Sequence, residues 1–370
     1  MRMTDSFDLF FVCNPGLEPV LCEEARAAGF AGTRVVPGGV EATGGWSEIW
    51  RANLELRGAT RVLVRVGEFR AFHLAQLDKR SRKFPWGEVL RPDVPVSVEA
   101  TCKASKIYHD RAAAQRVAKA ITEELGAPVT KDAPVRVMVR IEDNLVTISL
   151  DTTGESLHKR GHKAAVGKAP MRETLAALFL RRCGYSGTET VVDPMCGSGT
   201  FVIEAAEIAL GMQPGRTRSF AFEQLANFDE AAVGTLRREG KTETNLRFFG
   251  SDRDAGAVKN AQANAERAGV SEVTQFRQAP ISDLTPPEGK PGLVMINPPY
   301  GGRIGNRKML FSLYGSMGEV LKTRFRGWRV GIITDDGGLA KATDLPFLPV
   351  DRAVDHGGLK VKLYRTDPLP

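Results

Sequence analysis

The stretch Thr190–Leu210, TVVDPMCGSGTFVIEAAEIAL, decides how this chain is read. Val191 and Val192 form a short β-branched run that ends on Asp193. A turn with two glycines follows, Gly197-Ser198-Gly199, and Thr200 then opens an amphipathic run, Phe201–Leu210. Strand, glycine turn and helix together aim backbone N–H groups and a helix N-terminus at a ligand. The glycines admit backbone angles barred to other residues and let the ligand come close. Asp193 sets the sign of that ligand, because a carboxylate at the strand end repels a phosphate and attracts a cation. The dinucleotide pattern G-x-G-x-x-G fails, since Val202 stands where its third glycine belongs. No lysine follows the glycines, as a nucleotide-triphosphate loop requires.

A second stretch, Gly292–Gly301, GLVMINPPYG, reads as another buried strand running into Asn297-Pro298-Pro299-Tyr300. Asp193, Pro194, Cys196, Gly197, Ser198, Gly199 and Thr200 resemble the first motif of class I methyltransferases that use S-adenosylmethionine (SAM). Asn297, Pro298, Pro299 and Tyr300 resemble the catalytic tetrapeptide of those acting on exocyclic amines of nucleobases. The resemblance implies SAM as cofactor, its sulfonium and ammonium groups suiting Asp193. It also implies a chemistry. The lone pair of such an amine is delocalised into the ring, so the nitrogen is a poor nucleophile. The Asn297 side-chain oxygen and the Pro298 carbonyl would accept its hydrogens and draw it toward tetrahedral geometry. The prolines fix the backbone for this, and Tyr300 would stack on a base taken out of any helix. Transfer is then an in-line displacement governed by positioning, with no metal and no acid–base pair called for. Arg303 is expected either to contact the substrate backbone or to be exposed.

The bulk numbers agree with an ordinary globular chain of two or three domains: 370 residues, 42% hydrophobic and 26% charged. The formal charge of +7 is compatible with a polyanionic partner without demonstrating one. Cys13, Cys22, Cys102, Cys183 and Cys196 form no C-x-x-C pair, which argues for reduced thiols and against a zinc site or disulfide framework. Cys196 is read as a small residue rather than a reactive one. The start, MRMTDSFDLFFVCNPG, has too short an apolar run for a signal peptide, and no stretch approaches the length of a membrane span. A cytoplasmic protein without membrane association is expected.

Taken in order, Leu9–Cys13 is strand-like, Leu17–Ala28 is helical, and Arg34–Val36 with Val40–Ala42 is a hairpin around glycines. Ser47 is expected to cap a helix through Arg57, and Thr60–Phe69 alternates as a strand. These make residues 1–69 a ferredoxin-like α+β module. Residues 70–160 carry the basic run Lys79, Arg80, Arg82 and Lys83, then Lys106, Tyr108, His109 and Arg111 beside a helix start. That cluster suits phosphate contact and base stacking, or is a solvated basic face. Residues 161–370 form the last domain, opened by a helix over Pro170–Arg182. Within it, Arg247–Phe249 and Val273–Gln278 are further strands, the first delayed by an insertion over Gly211–Arg247. Trp328–Thr334 is a fifth strand, and a late hairpin turns around His356-Gly357-Gly358. Asn260 and Asn264 are expected at the surface. The expected fold is α/β, a mostly parallel Rossmann-like sheet with a late antiparallel hairpin, preceded by α+β modules.

SKIYH and SLDTTGESLHKRGHK, with GLEPVLCEEARAAG, DPMCGSGT, GSDRD and NPPYG, are similar to bacterial THUMP-domain RNA guanine-N2 methyltransferases over essentially the whole chain. The resemblance implies a THUMP domain over 70–160 that grips RNA through the basic cluster, with Lys159 and Arg160 at its exit. It places Glu173 and Thr174 at the cofactor pocket and Asp252 on the ribose hydroxyls of SAM. An aspartate near the adenine is usual just after the third strand, where this chain has Ala279-Pro280. Either Asp283 substitutes, or backbone groups alone hold the adenine. The leading substrate is large-subunit ribosomal RNA. The alternatives are transfer RNA, DNA adenine, and a non-catalytic RNA-binding assembly factor.

Overall fold

The computed structural model describes residues 6–164, 171–238, 240, 243–301 and 307–370. They fall into two compact units. One holds the described residues up to Cys13, Leu21–Leu157 and Thr217–Arg237; the other holds those of Asn14–Val20, His158–Arg216 and Arg238–Pro370. Among the described residues no helix is long and apolar enough to cross a membrane.

The first unit contains strands β1 (Phe7–Val12), β2 (Ala31–Val36), β3 (Gly39–Gly44), β4 (Arg61–Arg70), β5 (Val96–Lys103), β6 (Val135–Glu142) and β7 (Leu145–Asp151). They form one sheet in the order β2-β3-β1-β4-β7-β6-β5. The two expected modules, 1–69 and 70–160, share this sheet through antiparallel pairing of β4 with β7. Period-two patterning explains the strands: Phe7, Leu9 and Phe11 of β1 are buried while Asp8 between them is exposed. Helices α1 (Glu18–Ala27), α2 (Trp46–Glu55), α3 (Leu74–Arg82) and α4 (Asp110–Leu125) alternate with the strands. Ser47 does not cap α2. Gly45 holds the cap position and its N–H donates to Glu48 Oε2 at 2.9 Å, so Ser47 lies inside the first turn.

The second unit contains α5 (Glu173–Arg182), α6 (Thr200–Ala209), and strands β8 (Val191–Asp193), β9 (Phe248–Asp252), β10 (Thr274–Gln278), β11 (Leu293–Ile296), β12 (Arg329–Thr334), β13 (Val354–His356) and β14 (Leu359–Arg365). Between α6 and β9 the chain contributes α7 (Glu230–Leu236) to the first unit. The remaining helices are α8 (Ala255–Ala268), α9 (Arg307–Arg324) and α10 (Gly337–Ala342). The sheet order is β10-β9-β8-β11-β12-β14-β13. It is parallel from β10 to β12, with β14 antiparallel to β12 and to β13. Every residue of β8 and β11 is buried, as a parallel strand covered on both faces requires. After β8 the chain runs to β9 on one side, while β11 pairs on the other. A crevice opens at such a switch point, outside the carboxyl ends of the strands.

The excursion Thr217–Arg237 explains why β9 comes so late in the sequence. Phe220 and Phe222 stack at 5.0 Å, and Phe222 lies 6.5 Å from Trp50. The Phe222 N–H donates to Thr152 O at 2.9 Å and that of Ala226 to Val89 O at 3.1 Å. These aromatics find their apolar cover in the first unit.

Candidate active site

β8 delivers Asp193 buried at its end, with Oδ1 accepting the Met195 N–H at 3.0 Å. Pro194 is buried and starts the turn. Gly197 and Gly199 have φ of 51° and 83°, in the left-handed region glycine favours. They differ in surroundings. Among the described residues a Cβ on Gly197 would meet nothing within 4 Å, whereas one on Gly199 would sit 3.1 Å from Ala261 and 3.2 Å from the Phe276 ring. Gly197 therefore leaves a side of the loop open, and Gly199 lets the loop lie on α8 and β10. Thr200 begins α6.

Asp252 closes the loop from β9. Its Oδ2 accepts the Gly197 N–H and its Oδ1 the Asp254 N–H, both at 3.0 Å. The Cys196 N–H donates to Ser251 O at 2.9 Å. Burial pushes the Cys196 thiol well above its ordinary value, so a small neutral side chain is what this position uses. Ser198 is buried, and its carbonyl accepts from Asn264 Nδ2 at 3.0 Å. This corrects the surface expectation for Asn264, which is fully buried and also accepts from Arg267. The signal was legible: Val258, Ala261, Ala265 and Ala268 make the buried stripe of α8, and Asn264 falls beside it.

Burial pushes the Asp193 carboxyl up to about 8; the Met195 N–H opposes this and the charge of Asp252 adds to it. Among the described residues neither carboxylate has a basic partner. Two acids on adjacent strand ends, one of them buried, leave a site that a cation with hydroxyl groups would complete.

Glu173 and Thr174 are buried at the start of α5. Lys163 ties that start to the glycine loop. Its Nζ donates to Met171 O at 2.6 Å and Thr200 Oγ1 at 2.9 Å, and it pairs with Glu173 at 3.2 Å. The Thr174 hydroxyl is buried without a hydrogen-bond partner among the described residues. Asp283 is exposed on a short 3-10 turn and accepts from the Ser282 hydroxyl. The residue tied to Asp252 at this end of β10 is Ala279, whose N–H donates to Asp252 O at 3.0 Å.

β11 delivers the second motif. Asn297 follows Ile296, which lies opposite Ile332 of β12. Asn297 Oδ1 is buried and has no hydrogen-bond partner among the described residues. Buried acceptors are nearly always paired, so the donor for this one is to be sought beyond the described residues. Pro298 is buried, and the Pro299 carbonyl accepts from the buried Tyr314 hydroxyl at 3.3 Å. Tyr300 is buried too, and burial, with the charge of Asp335, raises its phenol so that it stays neutral. A cavity of about 450 Å³ adjoins the motif, lined by Gly301, Arg307, Leu310, Asp335, Asp336, Gly337 and Leu339. A larger cavity, about 540 Å³, runs along β9 and β10 and is lined by none of the expected site residues. Arg303 lies outside the described residues. Among those described, no group of three or more His, Cys, Asp and Glu is placed to hold a metal ion.

The basic cluster of the first unit is exposed at Lys79, Arg80, Lys83, Lys106, Tyr108, His109 and Arg111. Arg82 is held by Asp78, Glu123 and Glu124. Tyr108 is 71% exposed and packs on His109 at 4.1 Å between ring centres. Lys106 lies 5.6 Å from the ring of Phe72, an exposed aromatic that sequence reading passed over. In the second unit Lys159 is exposed, but Arg160 is not available to RNA. It is buried, with Nη2 3.4 Å from the equally buried Glu204, because a carboxylate on the inner face of α6 needs a cation there.

Comparison with known proteins adds kinship to this geometry. Residues 160–352 match the family model described as RMKL-like, methyltransferase domain. Residues 8–63 match the RlmL ferredoxin-like domain. The chain is 36% identical to the ribosomal RNA large subunit methyltransferase K/L of Syntrophotalea carbinolica, covering 90% of this chain and 50% of that protein. It thus spans about half the length of the curated relatives it matches. Among solved structures, SMU.472, crystallised with SAH, aligns over 100% of both chains with a TM-score of 0.88 and 29% identity. A predicted N6-adenine-specific DNA methylase from Listeria monocytogenes aligns over 99% of this chain and 97% of its own with a TM-score of 0.85 and 31% identity. The family model covers the glycine loop, Asp252 and Asn297-Pro298-Pro299-Tyr300 alike. With both strand-end motifs inside one matched segment, the chain belongs to the family of RMKL-like methyltransferase domains.

Proposed function

We propose that this chain is a SAM-dependent RNA methyltransferase that modifies the exocyclic N2 amine of a guanine in large-subunit ribosomal RNA, in the cytoplasm. The observation that carries the reading is Asn297 Oδ1, a buried acceptor without a partner among the described residues, one sheet position away from the acidic glycine loop. The loop suits the cofactor: among the described residues Asp193 faces no basic side chain and Gly197 leaves open space, and Asp252 stands at the neighbouring strand end. When bound, SAM supplies an electrophilic methyl group on a sulfonium.

The chain's own residues do the rest. Asn297 Oδ1 and the Pro298 carbonyl accept the two amine hydrogens and hold the nitrogen lone pair in line with the methyl group. Tyr300, neutral and buried, offers a ring face to the base. Asp193 balances the positive charge of the donor, and Asp252 takes up ribose hydroxyls. Backbone groups near Ala279 fit the adenine better than the exposed Asp283 does. Lys79, Arg80, Lys83, Lys106, Tyr108, His109, Arg111 and Lys159 form the RNA-binding set, joined by Phe72, with the N-terminal half acting as a THUMP-like RNA grip.

A second reading, methylation of adenine in DNA, is kept by the name of the Listeria relative alone. The test is transfer of labelled methyl from SAM to unmodified ribosomal RNA, transfer RNA and DNA, with nucleoside mass spectrometry of the product. N2-methylguanosine in large-subunit RNA is expected. Label in transfer RNA replaces the substrate and keeps the mechanism, and N6-methyladenine in DNA overturns the reading.

A further inference from the structure

We infer that Asp335 selects guanine over adenine by accepting the ring N1–H of the base. The inference rests on the guanine-N2 reading above and deepens it.

β11 and β12 are parallel neighbours, so the residues following them emerge side by side at the same edge of the sheet. Asn297 follows β11 directly and Asp335 follows β12 directly. Each presents a buried side-chain oxygen with no hydrogen-bond partner among the described residues, Oδ1 in both cases. A Cβ on Gly301, the residue after Asn297-Pro298-Pro299-Tyr300, would lie 3.4 Å from Asp335 Oδ2. The carboxylate therefore borders the motif and lines the cavity of about 450 Å³ beside it.

Its neighbour Asp336 has other work. Asp336 Oδ1 caps α10, accepting from Gly338 at 2.7 Å and Leu339 at 3.3 Å, and its Oδ2 pairs with Arg307 at 3.6 Å. Among the described residues nothing comparable engages Asp335. Of two adjacent acids, one is structural and the other is left with a desolvated acceptor, which costs free energy unless a ligand supplies a donor.

The chemistry of the base says which donor. Guanine places N1–H next to its N2 amine, so its Watson–Crick edge presents donors side by side. Asn297 and the Pro298 carbonyl take the amine, and a carboxylate oxygen of Asp335 takes the N1–H. Adenine has a lone pair at N1, which would face the carboxylate and leave it unpaired. Sites built to hydrogen-bond a substrate group discriminate strongly against analogues that lack it.

The probe is 2-aminopurine, which keeps the N2 amine and lacks the N1–H. It is placed at the mapped acceptor position of an otherwise unchanged RNA. Wild type is expected to prefer guanine by about 100-fold or more in kcat/KM. Asp335→Asn is expected to bind SAM as wild type does and to bring that ratio to about 1 or below, because an amide can donate to the N1 lone pair. The ratio is taken on one preparation, so loss of folded protein cancels.

Equal use of the two bases by wild type overturns the assignment, as does an Asp335→Asn ratio unchanged from wild type. Intact SAM binding with no turnover on either base also overturns it, since the residue would then serve the chemistry and not the choice. Wild type that methylates no guanine N2 at all brings down the functional reading itself, an outcome visible before any variant is made.

Discussion

Two loops leave the same edge of one sheet, the first after β8 and the second after β11, and they treat hydrogen bonds in opposite ways. The glycine loop is closed on itself. Asp193 accepts from Met195, Asp252 from Gly197, and Asn264 reaches in from α8 to hold Ser198. The loop after β11 leaves Asn297 Oδ1 buried and open among the described residues, braced only from behind by Tyr314 on Pro299. One loop has its backbone fixed by hydrogen bonds within the chain; the other, on the function proposed, is completed by its substrate. Binding of the donor and transfer of its methyl group should therefore separate cleanly under mutation.

The largest effect is expected at the open loop. Asn297→Ala should lower methyl transfer by about 10³-fold, the scale of removing one preorganised polar group from a reacting centre. Its SAM affinity by calorimetry should stay within about twofold of wild type. If affinity falls along with turnover, the two loops are not independent.

Next comes the closed loop. Asp193→Asn should weaken SAM binding by about 100-fold, as loss of a buried charge partner does. A pH dependence accompanies it. Burial and Asp252 hold the Asp193 carboxyl near 8 in the free protein, so below that pH a proton must leave before a cation is well held. SAM affinity in wild type should thus rise with pH through about 8, with proton release measurable at pH 7 in buffers of different ionisation enthalpy. The same group has the opposite effect on the free protein. Its folded value lies above the ordinary 3.8, so the native state carries the extra proton between the two, and stability falls as pH rises across that window. Asp193→Asn should flatten both profiles.

Gly199→Ala tests how closely the first loop is packed. With φ at 83° and Ala261 and Phe276 within 3.2 Å of the new Cβ, a loss of about 1–3 kcal/mol is expected. Thermal unfolding reads it, together with weaker SAM binding. The smallest effect belongs to Tyr314→Phe, which removes one hydrogen bond from Pro299. A decrease of about threefold to tenfold in turnover is expected, equivalent to about 1 kcal/mol, with SAM affinity unchanged.

The same contrast governs what could be read before the structure was seen. β8, β9 and β11 were legible because short apolar runs, β-branched in β8 and aromatic in β9, end on polar residues that no packing need explains. Asp193, Asp252 and Asn297 stand out in the chain for that reason. Side chains that serve the site from elsewhere were harder. Asp335 follows a strand that looks complete without it, and it approaches the motif only because β12 pairs with β11. Arg160 reads as one more cation in HKRGHK until Glu204 of α6 claims it. Asn264 is a polar residue beside a buried helical stripe, a signal that the spacing of Val258, Ala261, Ala265 and Ala268 offered and that the residue type alone concealed. The cover that Thr217–Arg237 finds in the first unit is tertiary information, and local pattern carries none of it.

The identity of the methylated product is the most direct test of a guanine-N2 methyltransferase. Wild-type protein, labelled SAM and unmodified large-subunit ribosomal RNA are incubated together, and the nucleosides are resolved by mass spectrometry. N2-methylguanosine, formed about 10³-fold more slowly when Asn297→Ala replaces wild type although SAM is still bound, is the predicted result. Product formed equally well by Asn297→Ala, or methyl found on adenine instead of guanine, would contradict it.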